Sequence, residues 1–180
     1  MSSKGRQNMK KLEIIQKVTN ALRIAAKVVR IVLMVSMIIV AAVAVLALFV
    51  PPEFYSFIVD NAADFSKAEN IVLLVYIVIQ LGFGQYFASL VEKYLTKEVS
   101  DGTPFTVDGA RLMRKTGIDG LIISLASTIL SGVLILISEF LFKCSVLSSS
   151  DVAVAEFFGL SLFFLILSIL IETAIEELSK

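Results

Sequence analysis

Hydropathy patterning predicts an all-α protein: an integral membrane four-helix bundle with a cytoplasmic helical hairpin between spans two and three. Three observations carry this. Of 180 residues, 57% are apolar and 18% charged, whereas soluble domains average about 45 to 50% and about 25%. The apolar residues gather into four runs, each long enough at about 20 residues to cross a hydrocarbon core. Proline, glycine and helix-capping residues punctuate the chain between the runs. The expected organisation is one membrane domain over residues 1–180.

Before the first run, in residues 10–30, Ile15, Val18, Leu22, Ala25 and Val29 recur at spacings of three and four, with Lys17, Arg23, Lys27 and Arg30 displaced to the other side. This predicts an amphipathic basic helix leading into span one. Its expected partner is the lipid bilayer with anionic inner-leaflet headgroups, at about 1 kcal/mol per basic residue near the surface. A docking helix for a cytoplasmic partner is the alternative. Direct nucleic-acid binding is not expected, because no basic domain with interleaved aromatics is present.

Span one, at about 31–50, carries no charge and covers about 30 Å at 1.5 Å per residue. Pro51 and Pro52 stop it. A leader peptide cleaved near Ala42-Val43-Ala44 is the competing reading, but the long segment ahead of a full-length apolar run favours a retained span. Span two, at about 71–91, follows Ser66 and Glu69, which have capping-box spacing. Residues 92–117 form the cytoplasmic helical loop, broken by Ser100-Asp101-Gly102-Thr103-Pro104 and restarted with Thr106 as cap and Asp108 in the first turn. Span three, at about 118–137, begins near Asp119, which is expected to pair with Lys115 four residues earlier. Span four, at about 152–171, holds one acid, Glu156.

Basic residues set the direction of insertion. Every Lys and Arg except Lys67 and Lys143 falls before span one, between spans two and three, or at the C-terminus. Both termini are therefore expected on the cytoplasmic side of a bacterial cell (inner) membrane, with Lys93, Lys97, Arg111, Arg114 and Lys115 as a cytoplasmic basic surface.

The loop Asp101-Gly102-Thr103-Pro104-Phe105-Thr106-Val107-Asp108-Gly109, followed by Leu112, Arg114 and Gly117, and the acidic tail from Glu172 to Glu177 resemble a bacterial four-span integral membrane family of unknown function. Its loop reads roughly Gly-x-Pro-Phe-Thr, an acid, usually Asn, a basic residue and Gly. Here Gly109 stands where Asn is usual. The resemblance implies the four-span fold and no particular activity.

Within the spans, Gly120, Ser124, Thr128 and Gly132 lie four apart, which predicts a ridge of small residues for helix packing. That packing is expected inside the chain, with a homodimer as the alternative. Gln80, Thr128 and Ser161 each lie near mid-span and are expected to form one intramembrane polar layer. Glu156 is a candidate ion-linked acid, expected near the outer headgroups, either snorkelling or paired with Lys143. Cys144 is expected as an unpaired thiol in the outer loop. With no His and one Cys, the chain has no means of building a zinc site, a Ser-His-Asp triad or an internal disulfide. No catalytic residue, metal ligand or cofactor is expected. The function expected is a non-enzymatic association module, accessory, regulatory or immunity-like, with a possible homodimer or membrane-protein partner. A small dimeric transporter or channel is the alternative.

Overall fold

A computed structural model describes residues 3–51, 66–101, 106–142 and 154–178. These form four helices, α1 (Ser3–Leu46), α2 (Lys67–Asp101), α3 (Val107–Phe142) and α4 (Val154–Leu178). All four are long and apolar enough to cross a membrane. At 1.5 Å per residue, α1 with 44 residues is about 66 Å long, and α2 and α3 each exceed about 50 Å. A hydrocarbon core is about 30 Å thick. The three long helices must therefore project well beyond any bilayer they cross.

Local chemistry accounts for the helix ends. Ser66 accepts from the Glu69 amide through Oγ at 3.3 Å, while the Ser66 amide donates to Glu69 Oε2 at 2.7 Å, so the box starts α2 reciprocally. That bond, first to the Ser66 amide and then to its side chain, holds the Glu69 carboxyl below the usual range. Thr106 Oγ1 accepts from the Gly109 amide at 3.0 Å and starts α3. α1 closes at Leu46, short of the Val50 expected from hydropathy. Residues 47–50 tighten into a turn in which the Phe49 amide reaches Leu46 O at 2.8 Å, because a residue preceding proline is steered away from helical geometry. Lys67 Nζ donates to the exposed Leu48 carbonyl at 2.7 Å, tying the start of α2 to this turn.

α1 packs along α2 and α3 along α4, giving two antiparallel hairpins, and these meet chiefly through α2 and α3. Two apolar clusters hold the assembly. Val40, Val43, Ala47 and Leu74 join α1 to α2 at one end. Tyr94, Leu95 and Met113 form the other, against Ala26, Phe164, Leu167 and Ile171, and gather all four helices. Tyr94 and Phe164 meet edge to face at 5.8 Å.

The amphipathic segment of α1 turns its apolar face away from the protein. Val18, Leu22 and Val29 are each about half exposed, whereas Ala26 packs into the second cluster. Arg23 and Arg30 lie on the less exposed side. The expected face exists; of its polar counterpart, Arg30 reaches α2 through Glu92, whereas Lys17 and Lys27 stay exposed. From Val18 through Ala21, Ala25, Val28, Val32, Val35, Ile39 and Ala42 to Leu46, an exposed stripe repeats at alternating spacings of three and four. It runs about 42 Å along α1.

Candidate functional site

The interior contains polar seams, and each is built from a distinct pair of helices. Between α2 and α3, Gln80 Nε2 donates to Ser131 Oγ at 2.7 Å, and Ser127 Oγ donates to Gln80 Oε1 at 2.9 Å. Ser131 Oγ in turn donates to Ser127 O at 2.7 Å. One amide thus uses donor and acceptor together to clamp two turns of α3, in surroundings where an unsatisfied polar group costs several kcal/mol.

The expected layer of Gln80, Thr128 and Ser161 does not form. Thr128 is exposed and donates to Ser124 O of its own helix at 2.8 Å. Ser161 is fully buried beside Gly120, seven residues from Ser127 and so about 10 Å away along α3. α4 takes this register because it docks on glycines. A Cβ on Gly117 would lie 2.8 Å from Leu165 Cγ and 3.0 Å from both Leu165 N and Ser161 O. A Cβ on Gly120 would strike Ser161 Oγ and Phe87. Close backbone approach at these two positions sets α4 toward the N-terminal half of α3.

The expected ridge is corrected in the same way. Gly120 and Ser124 are buried, but Thr128 is exposed and a Cβ at Gly132 would meet nothing within 4 Å. Each step of four residues rotates the position by about 40°, so Gly132 has drifted about 120° from Gly120. The packed face instead follows alternating steps of three and four through Gly117, Gly120, Ser124, Ser127 and Ser131, with Ser138 a further seven on.

Away from the Gln80 seam, Arg30 Nη1 meets Glu92 Oε2 at 2.8 Å, joining α1 to α2, and Arg114 Nη1 lies 3.7 Å from Glu172 Oε2, joining α3 to α4. Neither pairing was legible in the sequence, since each joins residues far apart in the chain. The expected Lys115–Asp119 pair is not found among the described residues. Lys93, Lys97, Arg111, Arg114 and Lys115 are all exposed. Arg111 and Asp108 approach only to 4.0 Å, a separation at which an exposed pair contributes little.

Glu98 is 7% exposed, and a Cβ on Gly109 would collide with its carboxylate. The absence of a side chain at Gly109 is thus what admits this acid. A cavity of about 340 Å³ beside Glu98 is lined also by Glu13, Thr19 and Asn20. Lys17 donates to Glu13 at 2.7 Å and keeps that carboxyl low.

Glu156 belongs to the first turn of α4, five residues before Ser161; its side chain lies outside the described part of the structure. Cys144, Lys143 and the core of the Gly-x-Pro-Phe-Thr loop, residues 102–105, also lie outside the described residues. Among the described residues, no three His, Cys, Asp or Glu side chains gather as metal ligands. The molecule so defined is a helical bundle whose four helices are long and apolar enough for a multi-pass membrane protein. No family model, curated protein or solved structure matches the chain.

Proposed function

We propose that this protein is a non-enzymatic, multi-pass component of a bacterial inner membrane, with both termini cytoplasmic, that acts by association as an accessory, regulatory or immunity-like subunit. One observation carries the reading. The outward apolar stripe of α1 runs about 42 Å, from Val18 to Leu46, and a hydrocarbon core covers about 30 Å of it. The remainder lies beyond the Arg30–Glu92 pair, where water is the alternative to a protein neighbour. A helix surface of that kind supports a partner, either a second copy or another membrane protein. The resemblance to a four-span bacterial family and the distribution of Lys and Arg support the membrane and the orientation.

Orientation is tested by labelling single cysteines with an impermeant thiol reagent on intact cells. Cys144 should label directly, and a Ser100→Cys variant on a Cys144→Ser background only after lysis. Association is tested by disulfide crosslinking of Val18→Cys and Ala25→Cys on the same background. Failure of both variants to crosslink to a second copy, together with no co-purifying membrane protein, overturns the reading.

A second reading, a small dimeric transporter or channel, draws on the register of α4. The closeness of Ser161 to Gly120 supports a depth for the turn bearing Glu156 nearer mid-span than the headgroups. Intramembrane acids often mark ion pathways. Glu156→Gln separates the two: an association module keeps partner binding, whereas an ion-coupled carrier loses a pH-dependent flux in reconstituted vesicles.

A further inference from the structure

The groove between the cytoplasmic halves of α1 and α2 has a charge pattern that the helix packing does not use. Two adjoining cavities, of about 340 and 290 Å³, share Glu92 and Thr96 as lining. Arg23 and Lys27 line the first, and Arg30, Lys93 and Lys97 the second. The one acid in this set, Glu92, is already engaged by Arg30 at 2.8 Å. Among the described residues, Arg23, Lys27, Lys93 and Lys97 have no ion-pair partner. Four cations beside a neutralised pair repel one another, and a multivalent anion relieves that repulsion.

We infer that this groove binds one anionic phospholipid carrying two phosphates, of the diphosphatidylglycerol type. A lipid fits better than a soluble phosphate because the groove lies where the long apolar runs give way to charge. Ile24 lines the first cavity, and the exposed side chain of Ile31 follows two turns further along the same side of α1, offering acyl chains an apolar surface. Basic pockets between spanning helices on the cytoplasmic side are a recurrent form of lipid headgroup site. Two phosphates fit better than one because the free cations fall into two groups on either side of the Arg30–Glu92 pair, whose cancelled charge offers a phosphate placed centrally little attraction. The Thr96 hydroxyl, exposed and shared by both cavities, supplies a neutral donor between them. The physiological occupancy of the site rests on the proposed inner-leaflet orientation, whereas the binding chemistry does not.

The test uses full-length protein in a neutral detergent, with native mass spectrometry and thermal unfolding as readouts. Diphosphatidylglycerol, phosphatidylglycerol, phosphatidylcholine and glycerol 3-phosphate are titrated separately. The expected result is one diphosphatidylglycerol per chain, a raised unfolding midpoint, and affinity about tenfold or more above phosphatidylglycerol at equal phosphate. The pair Lys27→Gln and Lys97→Gln should weaken that binding about tenfold or more without moving the lipid-free midpoint. The control pair Arg111→Gln and Lys115→Gln, outside the groove, should leave it unchanged. Equal loss in the control pair, equal binding of phosphatidylglycerol, or a matching effect of glycerol 3-phosphate would overturn the inference. Reversed cysteine labelling with this binding intact overturns the orientation and leaves the site standing.

Discussion

Gly117→Ala offers the sharpest test of how α3 and α4 are held together. The added methyl would sit 2.8 Å from Leu165 Cγ, and this side-chain atom has some freedom to yield. It would also sit 3.0 Å from Leu165 N and Ser161 O, and these backbone atoms are fixed by their own helix. Relief to ordinary carbon contact at about 3.5 to 4.0 Å requires the helices to part by about 0.5 to 1 Å. A gap of that size forfeits about a quarter to a half of each dispersion contact along the seam. Because lipid supplies no hydrophobic drive for helices to associate, packing of this kind carries much of the stability there. The expected cost is about 1 to 3 kcal/mol, as for other overpacked interiors, or a fall of very roughly 2 to 12 °C in unfolding midpoint by the scaling for domains of this size. Gly132→Ala is the matched control. With nothing within 4 Å of its Cβ, it should leave the midpoint unchanged or raise it through a gain of about 0.5 to 1 kcal/mol in helix propensity. Thermal unfolding of both variants in one detergent decides the matter. A destabilised Gly132→Ala beside an undisturbed Gly117→Ala would refute the proposed face of α3.

Gln80→Leu should cost about 1 to 3 kcal/mol in the same assay, because it removes both interhelical bonds to Ser127 and Ser131. Thr128→Leu should change stability by less than about 0.5 kcal/mol, since that side chain is exposed. A double-mutant cycle on Arg30 and Glu92, whose side chains are 42% and 16% exposed, should give a coupling of about 0.5 to 1 kcal/mol that shrinks in high salt. Glu69, held below the ordinary glutamate range by Ser66, contributes its stabilisation fully above that range and loses it as pH falls through the lower folded value. A Glu69→Gln variant should therefore lose less stability than the parent between about pH 5 and pH 3.

The features legible in the sequence are those fixed by local chemistry. Charge-free runs, the Ser66–Glu69 box and the Thr106 cap act within a few residues, and all three reappear as helix interiors and helix starts. The apolar face of α1 was equally plain, but its direction was not. In water such a face turns inward, whereas next to lipid or a partner it turns out, and composition does not distinguish these cases. Spacing by four does not define the packed face of α3, because such a row winds around the helix while packed helices follow alternating steps of three and four. Gln80 was recognisable as a polar group at mid-span, yet its partners depended on that rotation. Counting from the ends of its own run puts Ser161 at mid-span, whereas the glycines of α3 decide where α4 docks. The Arg30–Glu92 and Arg114–Glu172 contacts depend on tertiary register alone.

The division into two hairpins bears on how the chain is made. Each hairpin has its own interface, α1 with α2 and α3 with α4, and α2 and α3 supply the main joint between them. Helices leaving a ribosome in pairs can settle against each other before the next pair emerges, so neither hairpin waits for the whole chain to be synthesised. The polypeptide link between Asp101 and Val107 then serves to keep the halves together. Residues 1–104 and 105–180, co-expressed as separate polypeptides, are therefore expected to find each other in the bilayer through the Gln80 clamp and the Gly120–Phe87 contact, rebuilding the intact molecule from two genes.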